Sequence, residues 1–208
     1  QSFERKHGSL DQALSSELSG AQLTRARALL SSDTALADAA TLRQATAGLG
    51  TDEQAIFKTL EGKSPAAREA ILASYKKQYG SELKADLGKE LSGAQRQQAN
   101  ALVKGNGALA GAAQLRAAMA GAGTDEGAIM ASLAGKSDPE RAAIATEYRK
   151  LYGVELLADL ASELGGEDLG RAKSLLATGK VSEVEELRLA MAGLGTDEAK
   201  ISQILSGR

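Results

Sequence analysis

The sequence predicts an all-α protein assembled from tandem helical repeats, and three observations predict it. First, one pattern occurs three times. Leu42-Arg43-x-Ala45-x-x-Gly48-x-Gly50-Thr51-Asp52-Glu53 returns as Leu115-Arg116-x-Ala118-x-x-Gly121-x-Gly123-Thr124-Asp125-Glu126, then as Leu187-Arg188-x-Ala190-x-x-Gly193-x-Gly195-Thr196-Asp197-Glu198, at steps of 73 and 72 residues. Second, two further markers keep that register. Glu-Leu followed by small residues stands at Glu17-Leu18-Ser19-Gly20, Glu90-Leu91-Ser92-Gly93 and Glu163-Leu164-Gly165-Gly166; an aromatic-x-x-x-aromatic-Gly block runs from Tyr75 to Gly80 and from Tyr148 to Gly153, with Phe3, His7 and Gly8 as a degenerate copy. Third, strong helix formers dominate and β-branched runs are absent. Apolar residues recur at helical spacing, as in Ile71, Tyr75, Tyr79 and Ile144, Tyr148, Tyr152.

These markers divide the chain into the tail of one repeat (1–31), two whole repeats (32–104 and 105–178) and the head of another (179–208). Punctuation splits a whole repeat into five short helices, A to E, so the terminal pieces hold helices D and E and helices A and B. Helix A ends at Gly48-Leu49-Gly50. Thr51 is the expected cap of helix B, with Gln54 completing a capping box and Asp52 and Glu53 in the first turn, where the helix dipole favours acids. Ser64-Pro65 and Asp138-Pro139 each place a cap residue before a first-turn proline and start helix C. Gly80 and Gly153 end it, and Ser92 with Gln95 opens helix E after the short helix D. The four tyrosines are expected in the core, and His7, at the Tyr79 position, beside them.

Composition narrows the chemistry. Lys and Arg number 25 against 27 Asp and Glu among 208 residues, and a net charge of -2 gives no global attraction to nucleic acid or to an anionic bilayer. With no cysteine and the single His7, disulfides, thiolate zinc sites, a Cys nucleophile and histidine metal clusters are excluded, while oxygen-only metal sites stay open. No apolar run approaches the ~18 residues of a membrane span, and no charged-then-apolar leader opens the chain. The first residue is Gln1 and the last, Arg208, follows shortly after a strong motif, so a piece of a longer protein is expected.

A chain path of two long traversals returns helix D to the side on which the glycine turn lies, which makes Glu90 a neighbour of Gly48. Glycines tolerate positive dihedrals that turn successive carbonyls toward one point. Carbonyls plus one bidentate carboxylate suit Ca²⁺ better than Mg²⁺. Site one comprises the carbonyls of Thr46, Gly48 and Gly50 with the Glu90 carboxylate; site two comprises those of Met119, Gly121 and Gly123 with Glu163. Met191, Gly193 and Gly195 form a loop whose acid would fall beyond Arg208, and Glu17 is an acid whose loop would precede Gln1. Each glutamate sits in the last turn of helix D, where the dipole disfavours it; it either meets an external cation or faces the N-terminus of helix E. Gly-x-Gly-Thr by itself also reads as a plain tight turn. No nucleotide-binding loop, EF-hand or nucleophile–base pair is present, so no enzyme is expected.

Gly-x-Gly-Thr-Asp-Glu after Leu-Arg-x-Ala, Tyr75-Lys76-Lys77-x-Tyr79-Gly80 and Glu90-Leu91-Ser92-Gly93 together resemble the annexin repeat over essentially the whole chain. The resemblance implies five-helix repeats packed into a curved, right-handed superhelical disc, with Ca²⁺-dependent binding to acidic phospholipid membranes. It makes the two ligand sets above the primary calcium sites and gives Thr51 and Glu53 to a weaker secondary one. It also implies a soluble protein with reversible peripheral membrane association, the cytoplasm favoured over secretion, and no nucleic-acid partner. Three departures stand out. Ala47, Ala120 and Ala192 replace the usual Lys or Arg before the first loop glycine; Ala122 is small where Leu49 and Leu194 can enter an interface; and two partial repeats leave room for self-association through the ends. The competing expectation is a helical-repeat scaffold that binds protein partners without strong calcium dependence.

Overall fold

The computed structural model of the chain describes residues 9–48, 50–120, 123–191 and 196–206. Leu49, Gly121, Ala122, Ala192, Gly193, Leu194 and Gly195, together with Phe3, His7 and Gly8, lie outside the described residues. Among the described residues the protein is all α, with fourteen helices and no strand.

Helices D and E of the first, partial repeat are α1 (Leu10–Glu17) and α2 (Gly20–Leu30). The next repeat is α3 (Thr34–Ala45), α4 (Glu53–Leu60), α5 (Pro65–Tyr79), α6 (Leu83–Glu90) and α7 (Gly93–Lys104). The following one is α8 (Gly107–Met119), α9 (Glu126–Leu133), α10 (Asp138–Tyr152), α11 (Leu156–Glu163) and α12 (Gly166–Thr178), and the last, partial one is α13 (Glu183–Met191) and α14 (Glu198–Ser206). The chain forms two compact units, Gln1–Gly107 and Ala108–Arg208.

Each unit has its own core, and the two cores follow one template. In the first, Ala39, Leu42 and Ala45 of α3 meet Ile56 and Leu60 of α4, Ile71 and Tyr75 of α5, Leu83 and Leu87 of α6, then Leu91 and Ala99. In the second, the residue 73 positions further on fills every one of those places, from Ala112 and Leu115 to Leu164 and Ala172. Tyr75 and Tyr148 are fully buried, and Tyr79 and Tyr152 pack against them edge-on or tilted, with ring centroids 5.1 and 4.8 Å apart. In both units helix B lies on helix E, α4 on α7 and α9 on α12.

The helix ends follow local chemistry, with three corrections. Gly80 and Gly153 end helix C in the left-handed conformation, at φ 70° and 73°, as their type predicts. Helix B, however, is capped by the residue after the expected threonine. Asp52, Asp125 and Asp197 accept from the backbone N–H of Ala55, Ala128 and Lys200 at 2.9, 2.8 and 2.9 Å. The reason is that the aspartate N–H also closes the preceding corner. It donates to the carbonyl of Ala45, Ala118 or Ala190 at 2.9, 2.8 and 2.7 Å, which fixes where the helix begins. Helix C of the second unit begins one residue early, with Ser137 as its cap; Glu140 accepts from both the N–H and the hydroxyl of Ser137, at 2.8 and 2.6 Å. Ser92 does precede α7, but its side chain makes no capping bond, and Gln95 reaches instead toward Glu53.

The cap assignment separates two neighbouring substitutions. Asp52→Ala is expected to lower the urea unfolding free energy by about 1 kcal/mol, the usual worth of a cap. Thr51→Val, at a half-buried position that makes no capping bond, is expected to change it by less than about 0.5 kcal/mol, the usual range for substitutions away from caps and core. Equal losses from both would return the cap to Thr51.

Candidate functional site

Each candidate site is a corner between helices A and B met by the end of helix D. At the first corner Thr46 ends α3 with a buried side chain whose hydroxyl donates to the Leu42 carbonyl at 3.0 Å. Gly48 and Gly50 follow with φ of 129° and 97°, values that a side chain would strain. Both are exposed, and a Cβ at either would touch nothing within 4 Å, so the backbone there is open to approach. The requirement for glycine is conformational.

Glu90, the last residue of α6, comes to this corner from 39 residues away. The Thr51 hydroxyl donates to Glu90 Oε2 at 3.2 Å. The second unit repeats the contact: Thr124 donates to Glu163 Oε2 at 3.2 Å, again across 39 residues, with Glu163 the last residue of α11. Release of Thr51 and Thr124 from capping duty leaves their hydroxyls available for these carboxylates. Met119, which ends α8, is buried, and Gly123 is exposed, but Gly123 does not share the left-handed conformation of Gly50. Glu53 meets Gln95, whose amide donates to its Oε1 at 3.5 Å, so Thr51 and Glu53 face different partners. Glu17 ends α1 as an exposed residue, and Met191, 58% exposed, ends α13.

Among the described residues no group of three or more His, Asp or Glu is placed to hold a metal. The donor set is one exposed carboxylate at each corner, beside the exposed peptide groups of Gly48 and Gly50 at the first and of Gly123 at the second, so the ligand atoms on offer are oxygens. That chemistry fits a hard cation that tolerates irregular geometry and excludes a thiolate or imidazole site.

Behind each corner lies a polar cluster that sequence reasoning missed. Asp86, only 6% exposed, accepts from Ser81 Oγ at 2.5 Å, Tyr75 Oη at 3.0 Å, Arg43 Nη1 at 3.2 Å and Lys89 Nζ at 2.9 Å. In the second unit Asp159 accepts from Arg116 Nη1 at 2.8 Å and from the Tyr148 hydroxyl. The guanidinium groups of Arg43 and Arg116 also lie over the rings of Tyr79 and Tyr152, 5.5 and 5.3 Å from their centroids. The signal was present in the sequence: Asp86 sits among Leu83 and Leu87 on the apolar face of α6, and both Asp86 and Arg43 recur 73 residues on.

The Ser81 hydroxyl, followed by Lys89 and Tyr75, holds the Asp86 carboxyl down to about 2, against an ordinary 3.8. The folded value lies below the unfolded one, so the stabilisation is complete above about pH 4 and is lost as pH falls through about 2. The expected outcome is that, between pH 5 and pH 2, the wild type loses roughly 2 kcal/mol more stability than Asp86→Asn, which cannot titrate there. Parallel acid-unfolding curves for the two proteins would contradict this.

An all-α repeat protein with an oxygen-donor corner in each unit is thus the class that fold and site define. The annexin family model matches residues 37–101 and 110–168, more than half of the chain. Annexin A13 of Mus musculus is 33% identical over 184 residues, covering 82% of this chain and 57% of its own length. Annexin A3 of the same species is 36% identical over 181 residues, covering 81% and 55%. The solved structure of annexin III aligns at 31% identity over 83% of this chain and 56% of its own, with a TM-score of 0.40. The chain belongs to the annexin family, and it spans about half the length of these curated relatives.

Proposed function

We propose that this chain binds Ca²⁺ at the corners of both whole repeats and, through the bound ions, docks reversibly on acidic phospholipid surfaces. The observation that carries the reading is the meeting of Thr51 with Glu90, and of Thr124 with Glu163, across 39 residues. It puts a carboxylate at the end of helix D beside a glycine corner in two successive repeats. The carbonyls of Thr46, Gly48 and Gly50 with Glu90 form the first ligand set; those of Met119, Gly121 and Gly123 with Glu163 form the second. Gly121 lies outside the described residues.

Ligand counting sets the mechanism. One carboxylate per ion holds calcium weakly in free solution, near the millimolar end of the protein calcium scale. A lipid phosphate supplies the further oxygens, so calcium and membrane strengthen each other's binding by the same factor. A protein of net charge -2 thereby meets an anionic surface through the ion, and two corners add avidity. No helix among the described residues is long and apolar enough to cross a membrane, which is consistent with peripheral docking.

The test is cosedimentation with phosphatidylserine vesicles. Binding should need calcium, be reversed by a chelator and be absent with phosphatidylcholine alone. Lipid binding that ignores the chelator, or no calorimetric heat from calcium with lipid present, would favour a scaffold that serves protein partners.

A further inference from the structure

The two halves of each proposed site stand on different helices. The Thr46 carbonyl ends α3, whereas Glu90 ends α6, and both helices pack on α5. One turn before each of those ends stands a member of the same ion pair: Arg43 is three residues ahead of Thr46, and Asp86 is four residues ahead of Glu90. Arg43 Nη1 and Asp86 Oδ2 are 3.2 Å apart, and Asp86 is fastened from α5 as well by the Tyr75 hydroxyl. The second unit keeps the arrangement, with Arg116 and Asp159 2.8 Å apart, three residues ahead of Met119 and four ahead of Glu163. Arg188 pairs with Glu185 of its own helix at 2.9 Å.

We propose that Arg43–Asp86 and Arg116–Asp159 are positioning pairs. They hold the carboxylate-bearing end of helix D against the carbonyl-bearing end of helix A, so that breaking the pair weakens cation binding without removing a ligand. The inference rests on the calcium reading above. Neither member touches the proposed ion. Their effect passes through the helix ends, in the way that groups behind a metal's ligands set ligand orientation.

A Glu163→Gln background isolates the first corner. In that background Asp86→Asn is expected to raise the calcium needed for half-maximal phosphatidylserine-vesicle binding by about tenfold, the lower range for loss of an orienting partner. In calcium-free protein the same change is expected to shift the Thr51 amide and Glu90 carboxyl NMR resonances. Ile71→Val, a core truncation in the same unit, serves as the stability control and is expected to alter neither readout. Arg43→Gln, at a half-exposed position, gives the same comparison should Asp86→Asn fail to fold, and Arg43→Lys is expected to recover part of the loss. A calcium requirement for Asp86→Asn or Arg43→Gln no higher than that of Ile71→Val, with Glu90→Gln raising it sharply, overturns the positioning role. If Glu90→Gln leaves the requirement unchanged, the calcium reading fails and this inference falls with it.

Discussion

Replacing Glu90 and Glu163 together by glutamine is expected to raise the calcium needed for phosphatidylserine-vesicle binding by more than about 100-fold, beyond what loss of a partner behind the ligands brings. Each substitution removes the one carboxylate of its corner and keeps the side-chain shape. Both residues are exposed, and each accepts a hydrogen bond from a threonine hydroxyl, so the thermal and urea unfolding of the double variant should match the wild type. Either single variant should fall between, because one remaining corner still docks without the gain from two. Cosedimentation across a calcium titration measures all four proteins. Unchanged binding by the double variant would remove both corners from the proposed function.

The second large effect concerns stability. Arg141 is 3% exposed, and its guanidinium donates to the carbonyls of Leu176 and Ala177 at 2.9 Å each, to the Lys136 carbonyl and to Asp138. It therefore satisfies the C-terminal carbonyls of α12 from the first turn of α10. Arg141→Met keeps much of the apolar stem but leaves those carbonyls without their donor. A loss of about 3 kcal/mol in urea unfolding is expected, from buried acceptors that each cost ~1–3 kcal/mol when unpaired. Gly179 belongs to the same knot: at φ +73° a Cβ there would stand 2.5 Å from the Lys136 carbonyl oxygen. The matching Arg68, less buried and donating to the Lys63 carbonyl, is expected to cost only about 1 kcal/mol when replaced by methionine. A small loss at Arg141 would show that water takes over its acceptors.

Repeats, helix order and core register were legible because each rests on local or periodic chemistry. Gly80 and Gly153 stop a helix by backbone conformation alone, and Ile71, Tyr75, Leu83 and Leu87 announce their face by spacing. The helix B cap was not legible: Thr51 and Asp52 are adjacent, both competent, and the choice falls to a backbone bond from Asp52 back to Ala45. Asp86 and Arg141 were missed for a different reason. A buried charge is intelligible only with its partners, and Arg43 lies 43 residues from Asp86, Leu176 35 from Arg141. The Glu90 neighbourhood was legible from chain path, although the threonine that meets it was assigned elsewhere.

The bond between the Asp52 N–H and the Ala45 carbonyl, repeated at Asp125 and Asp197, joins peptide groups and no side chains. The glycines and the capping aspartate apart, the corner is therefore pinned by main-chain atoms, and an exposed side chain such as that of Ala47 is free to diverge at little cost to the helices behind it. Such a corner behaves as an interchangeable cassette. Ala47→Lys would place a cation there while α3 and α4 keep their ends, and selection can retune what each copy adheres to without redesigning the bundle.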